Sequence, residues 1–421
     1  MNRNLSWINT KLGDVLDQIL GGGTPSKSVV EYWDNGNIPW ATVKDMAEGK
    51  YVLYDTKDHI TEAGVKNSAT RIIPKGTVII STRMGLGRCF INKVDMAINQ
   101  DLKALIPKKD LVDTKFLLWL YASKAQTIDN LGTGTTVKGI RIEQVKDIDI
   151  SLPPLPTQRK IAAILSAYDD LIENNTRRIK ILEEMAQLIY REWFVKFRFP
   201  GHEKVRMVDS ELGPIPEGWE VKPIGEVFDT LGGGTPSTKN PQYWENGTIT
   251  WFTPSDLTSA RTMFISDSAR KITLKGLENS SAKMFPSYCV MMTSRATIGV
   301  TAINTVPACT NQGFIVCIPN EIASTYQIYY WILTNRERIE AIASGATYKE
   351  INRTEFRSFS YVIADLATRK RFESLIEPLA KQIENLTKKN SILRRTRDLL
   401  LPKLISGELD VEDLDIPVGG D

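Results

Sequence analysis

The sequence predicts an α+β fold written twice: two tandem-duplicated globular domains separated by two long helices, packed as an antiparallel coiled coil with pseudo-twofold symmetry. Three observations predict it. The stretch Gly21-Gly22-Gly23-Thr24-Pro25-Ser26 returns as Gly232-Gly233-Gly234-Thr235-Pro236-Ser237, and 232 − 21 gives an offset of 211, half of 421 residues. Each half mixes short strand-like runs, helices and polar loops. Each half then runs into a long stretch with apolar residues every seven positions.

The repeat extends well beyond the glycines. Tyr32-Trp33, Asn35-Gly36, Ile38, Trp40 and Asp45 recur as Tyr243-Trp244, Asn246-Gly247, Ile249, Trp251 and Asp256. Matching tryptophans and turn residues over so long a stretch mark a duplication rather than shared composition. The triplet reads as a tight turn, since glycine accepts positive φ and Pro25 or Pro236 stiffens the exit.

Taken in order, each half opens alike, with Trp7 and Leu12-Gly13-Asp14-Val15 matching Trp219 and Ile224-Gly225-Glu226-Val227 at an offset of 212. Strand-like runs follow the triplet, Thr77–Ser81 against Cys289–Thr293, each preceded by a proline (Pro74, Pro286). Arg83-Met84-Gly85-Leu86-Gly87 matches Arg295-Ala296-Thr297-Ile298-Gly299, and Asn99-Gln100 matches Asn311-Gln312. An aromatic helix-like run comes next (Phe116–Ala122, Tyr326–Leu333). A second glycine loop follows, Gly134-Thr135-Thr136-Val137-Lys138 against Gly345-Ala346-Thr347-Tyr348-Lys349.

The first long helix is predicted to start near Thr157, just past Pro153-Pro154 and Pro156, and to run to about Phe197. Ile161, Tyr168, Leu182 and Ile189 form one heptad column, interrupted by Asn175. Leu165, Ile172, Ile179, Ala186 and Trp193 form its neighbour. The second helix carries Phe372, Leu379, Leu386, Leu393 and Leu400, flanked by Ile376 and Ile383. Such stripes argue for helix pairing, in which Asn175 and Asn390 either fix register or face solvent. At about 1.5 Å per residue, each rod is roughly 60 Å long, so the economical assembly is an antiparallel pair with a domain at either end. Pro200 to Gly218 reads as a semi-rigid linker. Pro402 is expected to end or kink the second helix, and the acidic tail after it to fray.

Hydrophobic content of 42% and charged content of 24% are those of a globular protein, and the N-terminus and the lack of long apolar runs suggest neither signal peptide nor membrane span. The cysteines (Cys89, Cys289, Cys309, Cys317) form no CxxC pair, so neither a disulfide framework nor a metal site is expected, and a reducing cytoplasm fits. Net charge is only +3, but residues 367–406 carry 10 basic and 4 acidic groups, and residues 407–421 six acids and no base. A solvated helix face accounts for that basic run as readily as a ligand does. Catalytic signatures are absent: no phosphate loop of the GxxxxGK[ST] form, and two unduplicated histidines, His59 and His202. Asn240-Pro241-Gln242-Tyr243 suggests an amine-binding methyltransferase motif, but its twin, Val29-Val30-Glu31-Tyr32, lacks the amide and proline, so it reads as a turn.

Several motifs together resemble the specificity subunit of type I restriction–modification systems. They are the doubled triplet and tryptophan patterns, Leu152-Pro153-Pro154-Leu155-Pro156-Thr157-Gln158-Arg159, Glu192-Trp193-Phe194-Val195-Lys196-Phe197, Leu212-Gly213-Pro214-Ile215-Pro216-Glu217-Gly218-Trp219, and Leu400 through Leu409. The second helix start, Ala364 to Arg369, departs by lacking the double proline and glutamine. The resemblance implies target-recognition domains at 1–156 and 216–366, and helices at 157–197 and 367–406, with a linker at 198–215 and a tail at 407–421. It implies that each domain reads one half of a bipartite, asymmetric site on double-stranded DNA. The helices would set half-site spacing and dock two methyltransferase subunits, joined by restriction/translocase subunits. It also implies no catalysis by this chain: S-adenosylmethionine, ATP and Mg belong to the partners. A stand-alone duplicated DNA-binding or scaffold protein is the alternative.

Base reading needs Arg, Asn and Gln on loops, and phosphate contact needs Lys and Arg. The candidates are Lys27, Arg83, Arg88, Asn99, Gln100, Lys138 and Arg141 in the first half, and Lys239, Arg295, Asn311, Gln312, Lys349 and Arg353 in the second. Domains that read different half-sites should differ where they touch bases. Matched residues are therefore better suited to phosphate or loop fixing, and unmatched ones such as Arg88, opposite Val300, to base reading.

Overall fold

Residues 7–47, 49–134, 137–345 and 349–417 are described by a computed structural model. The chain divides into two units, residues up to 174 with 390 onward, and residues 175–389. Two long helices, α1 (Leu155–Tyr190) and α2 (Leu366–Ile405), each contribute to both.

In the first unit a five-stranded sheet runs in the order Leu16–Gly21, Leu102–Pro107, Val78–Ser81, Cys89–Asn92, Val52–Leu53. A four-stranded sheet follows the order Asp58–Ile60, Ile38–Ala41, Met96–Ile98, Ile72–Ile73, with the central pair parallel. The helix Thr114–Ser123 buries Phe116 through Ala122 in the core that also holds Val78, Ile80 and Leu105. Its buried face is too broad for a surface helix, which is why the sequence run reads as apolar all round.

The second unit repeats this plan. Its larger sheet is ordered Asp229–Gly232, Phe314–Ile318, Val290–Thr293, Thr301–Asn304, Phe264–Ile265, and its smaller one Lys271–Ile272, Ile249–Phe252, Ala308–Thr310. The aromatic helix is longer here, Thr325–Ile342. In both units the outermost segments pair: Ile8–Lys11 with Asp149–Leu152, and Glu220–Pro223 with Ser360–Ile363. The long helices start within three residues of those pairings, at Leu155 and Leu366.

Within the first unit, Ile161, Ala162 and Leu165 of α1 share a core with Leu401, Leu404 and Ile405 of α2, and further along Asn390 Nδ2 donates to the Ile172 carbonyl. Rising numbers on one helix meet falling numbers on the other, so the pairing is antiparallel. In the second unit Phe372 of α2 packs against Tyr190, Trp193 and Phe194, the last at 4.9 Å and perpendicular. Of the nine residues expected to pair the helices, Ile161, Phe372 and Leu386 are buried. Tyr168, Leu182, Ile189, Leu379, Leu393 and Leu400 are half-buried. The deepest column of α2 lies beside them: Ile376, Ile383, Asn390, Arg397 and Leu404 are all buried.

Four expectations are corrected. First, α1 begins at Leu155, because Pro156 falls in the first turn, where its missing N–H costs nothing. Second, α2 continues past Pro402 to Ile405, with Leu401, Leu404 and Ile405 all buried. Burying each gains about 1.5–3 kcal/mol, which together outweighs the roughly 3 kcal/mol of an internal proline. Third, the tail does not fray at its start: Val411 is buried, and Lys160 Nζ donates to the Glu412 carbonyl at 2.6 Å. Fourth, none of the triplet glycines has positive φ. They serve close approach instead, since a Cβ on Gly22 would lie 1.9 Å from the Ile98 carbonyl oxygen, and one on Gly233 2.0 Å from that of Asn311.

Candidate nucleic-acid interface

The glycine loop is stitched to two tryptophans in each unit. Trp40 Nε1 donates to the Gly23 carbonyl at 3.0 Å and Trp33 Nε1 to that of Ser26 at 3.1 Å, and the two rings meet edge-on at 5.1 Å. The second unit reproduces this with Trp251 to Gly234 at 2.9 Å, Trp244 to Ser237 at 3.1 Å, and rings at 5.0 Å. An indole N–H is a donor only, so each carbonyl it reaches pins one point of the loop.

From that loop a series of hydrogen bonds leads on to the neighbouring loops. Thr24 Oγ1 donates to Gln100 Oε1, and Thr235 Oγ1 to Gln312 Oε1. Asn99 and Asn311 shape the turns that present those glutamines: Asn99 Oδ1 accepts from the Asp101 backbone at 3.1 Å, and Asn311 Oδ1 from Gly313 at 2.9 Å. Next, Thr82 N donates to the Asp101 carbonyl at 2.8 Å, and Ser294 N to that of Gly313 at 2.8 Å. The arginine loop then joins the second glycine loop through Met84 N to the Lys138 carbonyl and Ala296 N to the Lys349 carbonyl, at 3.0 and 3.2 Å. Met84 and Ala296 both adopt left-handed φ, 57° and 59°. Thr135, Thr136, Ala346, Thr347 and Tyr348 of the second glycine stretches lie outside the described residues.

The candidate side chains divide by what they already hold. Lys138 Nζ pairs with Asp129 at 2.7 Å and Arg295 Nε with Glu350 at 2.7 Å, while Arg83 lies 3.8 Å from Asp101. Asn99 is buried. Arg88 is half-buried and donates Nη1 to the Met46 carbonyl at 2.9 Å, so its guanidinium braces the loop from inside. Lys27, Lys239, Lys349, Arg141 and Arg353 are exposed, with no side-chain partner among the described residues. Arg141 and Arg353 stand at the starts of the short helices Ile142–Lys146 and Arg353–Arg357.

Two charged residues on this surface escaped the sequence reading. Lys103 lies in the strand beside the triplet and donates to the Gln100 carbonyl at 2.7 Å; burial lowers its pKa, against the pull of Asp101. Its apolar strand context hid it, and its twin (103 + 212 = 315) is Ile315. The Arg270 guanidinium carbon lies over Trp244, 3.7 Å from the ring centroid, where the first half (270 − 212 = 58) has Asp58. A sign reversal at one matched position was the available signal.

Among the described residues no cluster of His, Cys, Asp and Glu could hold a metal ion, and no helix is long and apolar enough to cross a membrane. All four cysteines are buried free thiols. Burial pushes those of Cys289 and Cys309 up to about 12, far from the range of a reactive thiolate.

The profile of the family described as the type I restriction modification DNA specificity domain matches residues 4–184 and again 216–394. The chain belongs to that family. It is 30% identical over 415 residues to the specificity subunit of the type I restriction enzyme MjaIX of Methanocaldococcus jannaschii, covering 97% of this chain and 94% of that one. It is 33% identical over 193 residues to the EcoR124I/EcoR124II specificity subunit of Escherichia coli, covering 44% and 47%. The crystal structure of the S subunit of a type I restriction–modification system from M. genitalium shares the fold, with TM-score 0.57, 17% identity, and coverage of 96% and 97%. This specificity subunit thus carries the family's domain twice, once in each half of the chain.

Proposed function

We propose that each unit of this specificity subunit reads one half of a bipartite, asymmetric site on double-stranded DNA, and that α1 and α2 set the gap between half-sites and dock two methyltransferase subunits. The observation that carries this reading is the pair of matched loop systems. Thr24–Gln100 and Thr235–Gln312 hold the same scaffold, while unmatched residues on it differ in charge, Lys103 against Ile315 and Asp58 against Arg270. A shared frame with different side chains is what two readers of different sequences need. Exposed Lys349, matched by Lys138, supplies a phosphate contact, and so do Lys27 and Lys239, which lack twins but carry the point charge of an ammonium rather than a fork that reads a base edge.

The chain does no chemistry on this reading. S-adenosylmethionine, ATP and Mg are carried by the methyltransferase and the restriction/translocase subunits, and the assembly works in the cytoplasm. The test is co-expression with the methyltransferase subunit, followed by sequencing of modified bases. The expected result is a single gapped motif that vanishes when this chain is omitted; methylation without such a motif overturns the reading.

A further inference from the structure

Arg397 lies in the buried column of α2 with 1% of its surface exposed. Its guanidinium joins three elements of the first unit. Nη1 pairs with Asp169 of α1 and donates to the Gly49 carbonyl at 3.2 Å. Nε and Nη2 reach Asp398 Oδ1 at 3.0 and 2.8 Å. The planar group stacks 4.7 Å from the Tyr51 ring and 5.9 Å from that of Trp119. Gly49 and Tyr51 lead directly into Val52–Leu53, the edge strand of the five-stranded sheet, and the Tyr51 carbonyl accepts from Ile91 N in that sheet at 2.9 Å. One turn along α1 from Asp169, Glu173 accepts from Tyr54 Oη at 2.8 Å, a second polar tie to the same segment.

Burying a guanidinium costs several kcal/mol unless its partners are well placed, and apolar packing of similar volume often serves stability as well or better. At the three matched side chains the second unit uses apolar packing, and among the described residues its one polar tie there is a single hydrogen bond from the Met263 backbone to Glu183 of α1. Its matched positions are Ala186 (397 − 211), Ala380 (169 + 211) and Met263 (51 + 212), all buried. The fold therefore does not require a buried guanidinium–carboxylate pair at these positions. What the cluster adds is direction, because forked hydrogen bonds fix an angle that a methionine contact leaves free.

We infer that Arg397 is a positioning residue, which fixes the angle at which the first unit's recognition domain sits on the helix pair and thereby sets how strictly the gap between half-sites is read. This rests on the proposed reading of bipartite DNA. Among the described residues none of the candidate base-reading side chains contacts Arg397, and the nearest link is Arg88, bonded to the Met46 carbonyl three residues before Gly49. Loss of the cluster lets the domain rock on its helices, so targets with a shorter or longer gap become acceptable.

The test uses the complete complex with its methyltransferase subunits and the double variant Asp169→Ala/Arg397→Met, with Tyr51→Met as a milder variant that keeps the ion pair. Methylation is measured on duplexes whose gap is native, one base pair shorter or one longer, together with base preference in each half-site. The expected result is a rise of about tenfold in the ratio of off-gap to native-gap methylation, equivalent to about 1.4 kcal/mol of lost discrimination. Tyr51→Met should give a smaller rise, and half-site preferences should stay unchanged. An unchanged ratio, or an equal fall on all three duplexes, overturns the inference and leaves the bipartite reading standing. Failure of the unaltered chain to direct methylation to any gapped target overturns that reading, and this inference with it.

Discussion

Gln158 and Arg369 occupy matched positions in the two halves (158 + 211 = 369) and do the same work at the start of the long helices. Gln158 Nε2 donates to the carbonyls of Pro153 at 2.8 Å and Leu111 at 2.9 Å. Arg369 donates from Nε to Ala364 and from Nη1 to Ile322, both at 3.0 Å. Those acceptors are matched too, since 153 + 211 = 364 and 111 + 211 = 322. The missing glutamine of the second half is thus replaced in geometry. Asp365 completes that start, accepting from Thr368 N at 2.9 Å and Trp219 Nε1 at 3.2 Å.

Gln158→Leu leaves two carbonyls and the Asp113 N–H without the buried amide they bond to. It should destabilise the first unit by about 1–3 kcal/mol, read as a lower midpoint in thermal or urea unfolding. Arg369→Gln restores the first half's side chain and should cost less than Arg369→Leu.

Neighbouring glycines in the second triplet should respond in opposite ways. A Cβ on Gly232 meets nothing within 4 Å, whereas one on Gly233 would overlap the Asn311 carbonyl at 2.0 Å. Gly232→Ala should leave the melting temperature nearly unchanged. Gly233→Ala should cost more than about 4 kcal/mol or abolish folding, the range reached only by forced backbone or core changes. Circular dichroism melts of the two variants decide it.

Phosphate contact is separable from loop bracing by salt. Lys27→Ala and Lys239→Ala should each weaken DNA binding by the complex and reduce the slope of log K against log salt by about one, with no change in recognised sequence. Lys138→Ala instead breaks the pair with Asp129 and should loosen the second glycine loop. Binding titrations at several salt concentrations, with hydrogen exchange over residues 133–139, distinguish the two outcomes.

Glu183 of α1 predicts a pH dependence in the second unit. Burial lifts its carboxyl from an ordinary 4.5 to about 7, against a hydrogen bond from the Met263 backbone. The folded state therefore binds this proton more tightly than the unfolded state does. The stability it contributes is complete below about pH 4.5 and is lost as the pH rises to about 7. Glu183→Gln should raise the melting temperature at pH 8, by roughly 2–4 °C for each kcal/mol relieved, and change it little at pH 4.5.

The fold class was legible because duplication writes each signal twice, and a heptad column survives single exceptions. The aromatic helices and the strands around Val78–Ser81 and Val290–Thr293 were legible for the same reason. Long-range partners were not. Nothing local in Asn92 and Asn304 announces that each is fully buried and bonded to the turn that leads into the neighbouring strand. Arg397 read as one more base in a charged helix, because its acceptors at Asp169 and Gly49 lie hundreds of residues away. The tie of Arg88, offered as a base reader, to the Met46 carbonyl is one that no spacing rule reveals. The glycine triplet was legible as a signature, but its reason, contact with Ile98 and Asn311, was not.

The central claim, one half-site per unit, is tested most directly by exchange. Residues 216–363 of this chain are replaced by the corresponding region of a relative with a different target, and the modified motif is sequenced from cells that also make the methyltransferase subunit. The account predicts that one half of the motif changes to the relative's, while the other half and the gap stay as they were. A change in both halves, or in neither, would contradict it.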